Sequence, residues 1–341
     1  MTTRIGINGF GRVGRTIFRI LSRRDDMEVV AINDVYRNQA LAYLLKYDTV
    51  MGTFEKDVTF DDEALFVDGK RIEMSEERNP ANLRWSRMNV DMVVESTGAF
   101  RTRAELEGHL EAGAPKVLLT VPPRDEIDAM IVLGVNDEEL SPAHRLVSNA
   151  SCTTNCLAPI AKVLDDAFGI ETGFMSTVHA YTNDQRLADV PHKDLRRSRA
   201  AGENIIPTTT GAARAVGSVL PKLMGRLDGI AVRVPVADGS IIDLVVKLRA
   251  KPDRAEINAE VKRAASGLLA GIVEYSEAPL VSSDVIGNPH SSIFDSWFTS
   301  TQAGGYARVL CWYDNEWGYS NRCVDLIERM ARLSSPKTKR R

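Results

Sequence analysis

Cys152 lies in Ser148-Asn149-Ala150-Ser151-Cys152-Thr153-Thr154-Asn155-Cys156, a cysteine among small hydroxyl and amide side chains. Such neighbours leave room around a sulfur and offer hydrogen bonds to nearby oxygens. The run Ala158-Pro159-Ile160-Ala161-Lys162-Val163-Leu164 then places apolar residues at helical spacing, which predicts Cys152 near a helix N-terminus. There the dipole and free N–H groups favour a thiolate. A structural cysteine buried ahead of a helix has the same local sequence, so a base must separate the two. Of five histidines, His179 ends the strand-like run Gly173–Val178 and opens a polar loop, where an imidazole can accept and return a proton near neutral pH. His109 is expected on a helix surface, and His144 and His290 in proline-containing loops. Lys193, Arg196, Arg197, Arg199 and Arg233 supply cations, a set that also suits a solvated face or a subunit contact. Thr208-Thr209-Thr210-Gly211 precedes a helical stretch and can hold an oxyanion.

A second constellation opens the chain. Arg4–Asn8 reads as a strand, Gly9-Phe10-Gly11-Arg12-Val13-Gly14 follows, and Arg15–Leu21 continues with helical periodicity. This is a G-x-G-x-x-G turn in the strand–turn–helix context that dinucleotide binding requires. Gly9 permits the tight turn, Gly11 the approach of a pyrophosphate and Gly14 close helix–strand packing, with Arg12 or Arg15 able to add charge. After a second strand, Glu28–Ile32, Asp34 stands at the distance expected for a carboxylate on a ribose 2′-hydroxyl. It would repel a 2′-phosphate, which favours NAD over NADP.

The elements that must position these groups alternate over the first 150 or so residues. Helices are expected at Ala40–Lys46 and Arg101–Glu111. Strands are expected at Val58–Phe60, Ala64–Val67, Met92–Ser96, Lys116–Val121 and Met130–Val135, with Thr97-Gly98 as a ligand-facing loop. That alternation makes an α/β, doubly wound parallel sheet of Rossmann type. The second half changes character. Ile230–Val234, Ile241–Leu248 and Tyr306–Tyr313 read as strands, and Ala212–Leu220 and Ile257–Leu269 as helices. An α+β domain on a mixed, mainly antiparallel sheet follows. A last helix, Ser320–Leu333, leads into a basic tail, Ser334–Arg341, expected to be solvated and disordered.

Composition narrows the class. A 341-residue chain has room for two domains, and 44% apolar and 26% charged residues are ordinary for a soluble globular protein. A net charge of -3 gives no support for nucleic-acid binding, and no apolar stretch is long enough to span a membrane. The N-terminus reads as a strand rather than a signal peptide. The four cysteines lack the spacing of a metal site or a disulfide framework, which suits a reducing, cytoplasmic setting.

With these residues in view, the chain resembles the phosphorylating glyceraldehyde-3-phosphate dehydrogenases over nearly its whole length. The resemblance rests on Ile5-Gly6-Ile7-Asn8-Gly9-Phe10-Gly11-Arg12-Val13-Gly14-Arg15, on Ala150-Ser151-Cys152-Thr153-Thr154-Asn155-Cys156, and on His179-Ala180-Tyr181-Thr182-Asn183-Asp184-Gln185. Asp194-Leu195-Arg196-Arg197 and the run Trp312–Arg322 complete it. It implies an NAD-binding domain of residues 1–151 with a returning helix at 315–333, and a catalytic domain of residues 152–314. An S-shaped loop over about residues 180–199 would pack between the subunits of a homotetramer.

By that resemblance Cys152 is the nucleophile and His179 its base. Thr182, Asp184, Arg197 and Arg233 would surround the substrate phosphate, Asp184 by orienting its neighbours. Ser151, Thr153, Thr210 and Gly211 would hold inorganic phosphate. The cofactor set would be Gly9, Phe10, Gly11, Arg12, Val13, Gly14, Asp34, Thr97, Gly98, Thr120, Pro191, Asn315 and Tyr319, with no metal. The implied reaction oxidises glyceraldehyde 3-phosphate with NAD+ and inorganic phosphate through a hemithioacetal and a thioester. Three other readings compete: an NADPH-preferring gluconeogenic form, an erythrose-4-phosphate dehydrogenase, and a redox-sensing or binding protein on the same scaffold. Asp34 and Pro191 argue against the first, and the intact Tyr181–Asp184 and Thr210–Ala213 patterns against the second. Retention of the whole catalytic set argues against the third. Departures from the common pattern fall at Val121-Pro122, Ala237-Asp238-Gly239 and Trp297, and none removes a group the chemistry needs.

Overall fold

Two β-sheets organise the protein, in a computed structural model that describes residues 2–334. The described residues fall into two units, drawn from Met1–Ile131, Glu138–Ala150 and Ser320–Arg341 and from Val132–Asp137 and Ser151–Tyr319.

In the first unit β1 (Thr3–Asn8) leads through α1 (Arg12–Leu21) to β2 (Met27–Asn33) and α2 (Asn38–Lys46). Then come β3 (Val58–Phe60), β4 (Ala64–Val67), β5 (Lys70–Ser75), β6 (Met92–Glu95), α3 (Arg103–Glu111), β7 (Val117–Leu119), β8 (Ala129–Met130) and β9 (Leu146–Ser148). The strand order is β3-β4-β5-β2-β1-β6-β7-β9-β8. From β5 to β8 every pairing is parallel, while β3, β4 and β5 form an antiparallel extension. Strands covered on both faces are continuous apolar runs, and Ile5, Ile7, Val93, Val94 and Leu118 are wholly buried. Strand β5, with its polar alternation, had no such signal.

His109 is not on a surface. It is buried in α3, where its Nδ1 accepts from Trp85 Nε1 at 3.1 Å and its Nε2 lies 3.0 Å from Glu95 Oε2. The helix turns this face onto the core because the Thr102–Glu105 capping box sets its start. The expected strand Met130–Val135 shrinks to Ala129–Met130. Asn136 Oδ1 accepts from Val132 N–H at 2.9 Å and Gly134 adopts φ +79, so the chain turns instead of extending.

In the second unit α4 (Cys152–Phe168) precedes β10 (Ile170–Ala180), β11 (Ile206–Thr209), α5 (Ala212–Val219), β12 (Leu227–Val234) and β13 (Ser240–Leu248). α6 (Arg254–Ser266), β14 (Val273–Ser276), β15 (Ser292–Gln302) and β16 (Tyr306–Tyr313) follow. The order β11-β12-β10-β13-β16-β15-β14 is mixed: β10–β12 and β14–β15 are parallel, the rest antiparallel. Alternation along β13 buries Ile242, Leu244, Val246 and Leu248. The other face carries Phe174, Val178, Ile230, Val245 and Tyr306, all exposed. The last helix, α7 (Trp317–Ser334), starts three residues before the expected Ser320, because Asp314 Oδ1 accepts from the Glu316 and Trp317 N–H groups at 2.8 and 2.6 Å. Ser334, expected to open the tail, instead closes α7 with its hydroxyl donating to Met330 O at 2.7 Å, and the rest of the expected tail lies outside the described residues.

Candidate active site

Ala150 turns the chain from β9 into α4. It adopts a left-handed φ of +54 and leaves Ser151 extended as the helix N-cap. Ser151 Oγ accepts from Thr154 N–H at 3.0 Å, a cap that contributes about 1 kcal/mol. Cys152 is therefore the first residue of a 17-residue helix, where backbone N–H groups have no carbonyl of their own helix to meet.

Strand β10 delivers the base. Cys152 Sγ lies 3.6 Å from His179 Nε2. On the far side of the ring Nδ1 is 2.7 Å from the Ala180 carbonyl, and Arg233 Nη1 donates to the same carbonyl at 3.0 Å. Arg233 Nη1 also lies 2.5 Å from Nδ1 itself; with the ring proton on Nδ1 and donated to the carbonyl, the Nε2 lone pair faces the sulfur. Arg233 stands opposite His179 in the parallel β10–β12 register, which is why cation and imidazole meet. Burial first, and Arg233 second, pull the imidazole down to about 3, so it is neutral and able to accept a proton.

The thiol does not follow the expectation from the helix N-terminus alone. Burial pushes Cys152 up, while Arg233 and hydrogen bonds from Thr153 pull it back. Both partners thus favour their neutral forms, and the sulfur proton has Nε2 as its acceptor. The Thr153 hydroxyl also meets Tyr313 OH at 2.9 Å, and Tyr313 OH meets Thr177 Oγ1 at 2.8 Å. Nothing in the local sequence pointed to Tyr313, which arrives from β16.

The anion-binding candidates fall into two groups within the same unit. Asp184 accepts from the Thr182 hydroxyl and from Arg197 Nη1, holding both. Arg197 Nε also donates to Thr208 Oγ1 at 2.9 Å, and Thr208 donates to Asp194 at 2.9 Å. Asp194 is an addition to the expected set, and Thr208, from the expected Thr208–Gly211 run, here binds Arg197 and Asp194. Thr210 Oγ1 accepts from Ala212 N–H at 3.1 Å, and Gly211 caps the start of α5. Arg186 and Ala200 bridge the two arms of the loop between them, and Arg199 pairs with Asp189 at 2.7 Å. Pro191 and the apolar Leu187, Val190 and Leu195 face outward on it.

In the first unit the glycine turn has the form a dinucleotide needs. Gly9 adopts φ +90 with no room for a side chain against Thr97, and a Cβ at Gly14 would fall 2.2 Å from Gly9 O. Beside Gly11 the space is open, as an approaching phosphate requires. Asp34 Oδ2 accepts from Phe10 N–H at 2.6 Å, so the ribose candidate also ties down the turn. The Phe10 side chain is core, and Val13 is half-buried on α1. Arg12 and Arg15, expected to add charge, have other work: Arg12 pairs with Asp48 at 2.7 Å and Arg15 reaches back to Phe10 O. Thr97 is held by Glu95 Oε1 at 2.8 Å through its N–H, Gly98 follows in a left-handed turn, and the buried Thr120 bonds to Glu95 O at 3.1 Å. In the second unit Asn315 and Tyr319 are buried, and Ser240 Oγ donates to Asn315 Oδ1 at 2.6 Å.

Two family models match this chain. The NAD binding domain of glyceraldehyde 3-phosphate dehydrogenase matches residues 3–103, and the C-terminal domain of the same enzyme matches residues 151–315. The chain belongs to the glyceraldehyde-3-phosphate dehydrogenase family. Glyceraldehyde-3-phosphate dehydrogenase 2 of Streptomyces avermitilis is 56% identical to it over 328 residues, covering 96% of this chain and 98% of that protein. Glyceraldehyde-3-phosphate dehydrogenase of Streptomyces coelicolor is 56% identical over 329 residues, with the same coverage of 96% and 98%. That of Priestia megaterium is 54% identical over 332 residues, covering 97% and 99%. As a phosphorylating member of the glyceraldehyde-3-phosphate dehydrogenases, the chain is an NAD-dependent oxidoreductase that works through a thioester.

Proposed function

We propose that Cys152 and His179 carry out this oxidation as nucleophile and base, with 1,3-bisphosphoglycerate and NADH as products. The supporting observation is the 3.6 Å approach of Sγ to Nε2 at the first residue of α4. His179 Nε2 takes the Cys152 proton as the sulfur attacks the aldehyde carbon of glyceraldehyde 3-phosphate and passes it to the aldehyde oxygen, giving a hemithioacetal on Cys152. The Cys152 N–H and His179 face the oxygen on which charge develops. His179 Nε2 takes the proton of the hemithioacetal hydroxyl as the carbon loses hydride, leaving a thioester. NAD+, when bound, supplies the hydride acceptor. Inorganic phosphate then attacks the thioester carbonyl, and the sulfur leaves as thiolate.

Arg197, Thr182 and Arg233 are assigned to the substrate phosphate, with Asp184 orienting the first two. Ser151, Thr153, Thr210 and Gly211 are assigned to inorganic phosphate, Thr153 by its backbone N–H, since its hydroxyl is engaged by Tyr313. On the cofactor, Gly9, Phe10, Gly11, Arg12, Val13 and Gly14 form the phosphate turn, and Asp34 meets the adenosine ribose. Thr97, Gly98, Thr120, Pro191, Asn315 and Tyr319 complete the set, Asn315 at the nicotinamide amide.

We also propose a homotetramer. Phe174, Val178, Ile230, Val245 and Tyr306 make an apolar face on the second sheet that a second copy of this chain would cover. The outward Leu187, Val190 and Leu195 suit the same role. Sedimentation should return four times the chain mass. A cytoplasmic setting suits four free thiols.

The decisive assay follows NADH absorbance with glyceraldehyde 3-phosphate and NAD+ or NADP+, with and without inorganic phosphate, beside erythrose 4-phosphate. Fast turnover is expected only with glyceraldehyde 3-phosphate, NAD+ and phosphate together. Multiple turnovers without phosphate would mean that water resolves the thioester and would remove the Thr210 assignment.

A further inference from the structure

Asp238 lies in the loop between β12 and β13 with no exposed surface, and Asp314 beyond β16 is just as buried. Asp238 Oδ1 accepts from Gly239 N–H at 2.8 Å and from Asn315 N–H at 3.3 Å. Its other oxygen, Oδ2, is buried and has no donor opposite it. Asp314 has donors on both oxygens: Glu316 and Trp317 N–H on Oδ1, and Gly287 N–H at 2.7 Å on Oδ2. The two carboxyls are within hydrogen-bonding reach of one another, and Asp314 is the main charged neighbour of Asp238.

Among the described residues, no cation ranks among the main influences on either carboxyl. The other titratable groups coupled to Asp238 are Glu316 and the Cys152 thiol. Gly239 packs against Ser282 O, on a turn whose Asp284 accepts from Val281 N–H at 2.8 Å. Two carboxylates this close and this dry do not both ionise. A buried carboxyl oxygen that lacks a donor and faces a carboxylate is satisfied only by a proton of its own.

We infer that Asp238 is a positioning residue that carries a proton, its Oδ2–H donating to Asp314 while its Oδ1 holds the Asn315 backbone. The neighbouring Ser240 completes the grip, donating to Asn315 Oδ1 at 2.6 Å and accepting from Ala180 N–H at 3.1 Å. One short loop thus holds Asn315 by backbone and side chain and touches the residue after His179. Loss of the proton puts two negative charges side by side in a buried site and loosens Asn315. Burial and Asp314 together push the Asp238 carboxyl up to about 9, so the neutral form persists at physiological pH.

The cofactor part of this inference rests on the assignment of Asn315 to the nicotinamide, and the protonation part does not. The folded protein retains a proton that the unfolded chain has already lost. Asp238 therefore withdraws stability as pH rises from the ordinary carboxylate range toward about 9, and no further above it. Asp238→Asn keeps an acceptor for Asn315 and a donor for Asp314 but cannot titrate, whereas Asp238→Ala keeps neither. The test uses the full-length enzyme in two measurements: thermal midpoints without ligand across this pH range, and KM for NAD+ against kcat.

The midpoint of Asp238→Asn should rise above the parent by a gap that widens with pH and then levels. KM for NAD+ should rise several-fold in Asp238→Ala, return in Asp238→Asn, and rise at alkaline pH in the parent alone. Parallel midpoint curves for the parent and Asp238→Asn would overturn the proton. A widening gap with a KM indifferent to Asp238→Ala would overturn the positioning role. Absence of NAD+-linked turnover in the parent would instead fail the assigned reaction, and the midpoint curves would still decide the proton. Should Asp238→Ala not accumulate folded, the KM of Asp238→Asn against pH takes its place.

Discussion

His179 and Arg233 stand opposite one another on neighbouring parallel strands, and Arg233 Nη1 and His179 Nδ1 converge on one carbonyl, that of Ala180. The cation therefore serves two ends. It lowers the imidazole and the Cys152 thiol alike, and it is assigned to the substrate phosphate. Arg233→Gln should accordingly raise both groups, moving the alkylation profile of Cys152 to more alkaline pH. Loss of a charge-assisted hydrogen bond, about 1.5–3 kcal/mol, should raise KM for glyceraldehyde 3-phosphate by roughly ten- to a hundredfold. An alkylation profile that stays in place while KM rises would separate the two roles.

The Cys152–His179 contact makes a kinetic prediction. Cys152→Ala should abolish the rapid first turnover of NADH formation. His179→Asn should lower kcat by about 10²–10⁴-fold with little change in KM for NAD+. Rapid-mixing absorbance measures both. A His179→Asn enzyme within tenfold of the parent would remove His179 as the base.

The same imidazole has a stability signature. Its folded value of about 3 lies below the ordinary 6.5, so between those limits the unfolded chain binds a proton that the folded one refuses. Stability therefore falls as pH falls through this window. His179→Asn should flatten that acid-side decline in thermal midpoint. An unchanged decline would mean that other groups carry it.

Much of this site was legible because its signals are local. The glycine turn, the small polar residues around Cys152 and the strand end at His179 each have a short-range cause. What escaped depends on partners distant in sequence. Tyr313 reaches Thr153 from β16, more than 150 residues along the chain. His109 looked like one polar residue on a helix, and only its packing against Trp85 and Glu95 buries it. Asp314 starts α7 through its side chain, which no periodicity records. Arg12 and Arg15 look free beside a phosphate turn until Asp48 and the Phe10 carbonyl engage them.

The His109–Glu95 pair yields a prediction about the cofactor turn. Glu95 Oε2 accepts from Asn8 Nδ2 and faces His109, while Oε1 holds the Thr97 N–H and hydroxyl. Both side chains are wholly buried. His109→Phe leaves Trp85 Nε1 without an acceptor and takes one of two partners from Glu95 Oε2, and an unpaired buried group costs about 1–3 kcal/mol. The thermal midpoint should fall by several degrees, and KM for NAD+ should rise because the carboxylate that holds Thr97 is less firmly fixed. A lowered midpoint with an unaltered KM would confine the pair to packing.

Asp34 is the last position at which two effects can be separated. Its Oδ2 holds Phe10 N–H at 2.6 Å and its Oδ1 meets Tyr36 N–H at 3.1 Å, so the carboxylate anchors the turn as well as facing the ribose. Asp34→Asn retains an acceptor for Phe10 and removes the charge that a 2′-phosphate would meet. A pair of like charges about 4 Å apart is worth roughly 1–4 kcal/mol between bulk water and a protein surface. The kcat/KM for NADP+ should therefore rise at least about fivefold in Asp34→Asn, while that for NAD+ falls less. Asp34→Ala should lower both cofactors, since the turn loses its anchor. If Asp34→Asn leaves the ratio of NAD+ to NADP+ unchanged, the discrimination lies elsewhere, with Pro191 as the next position to replace.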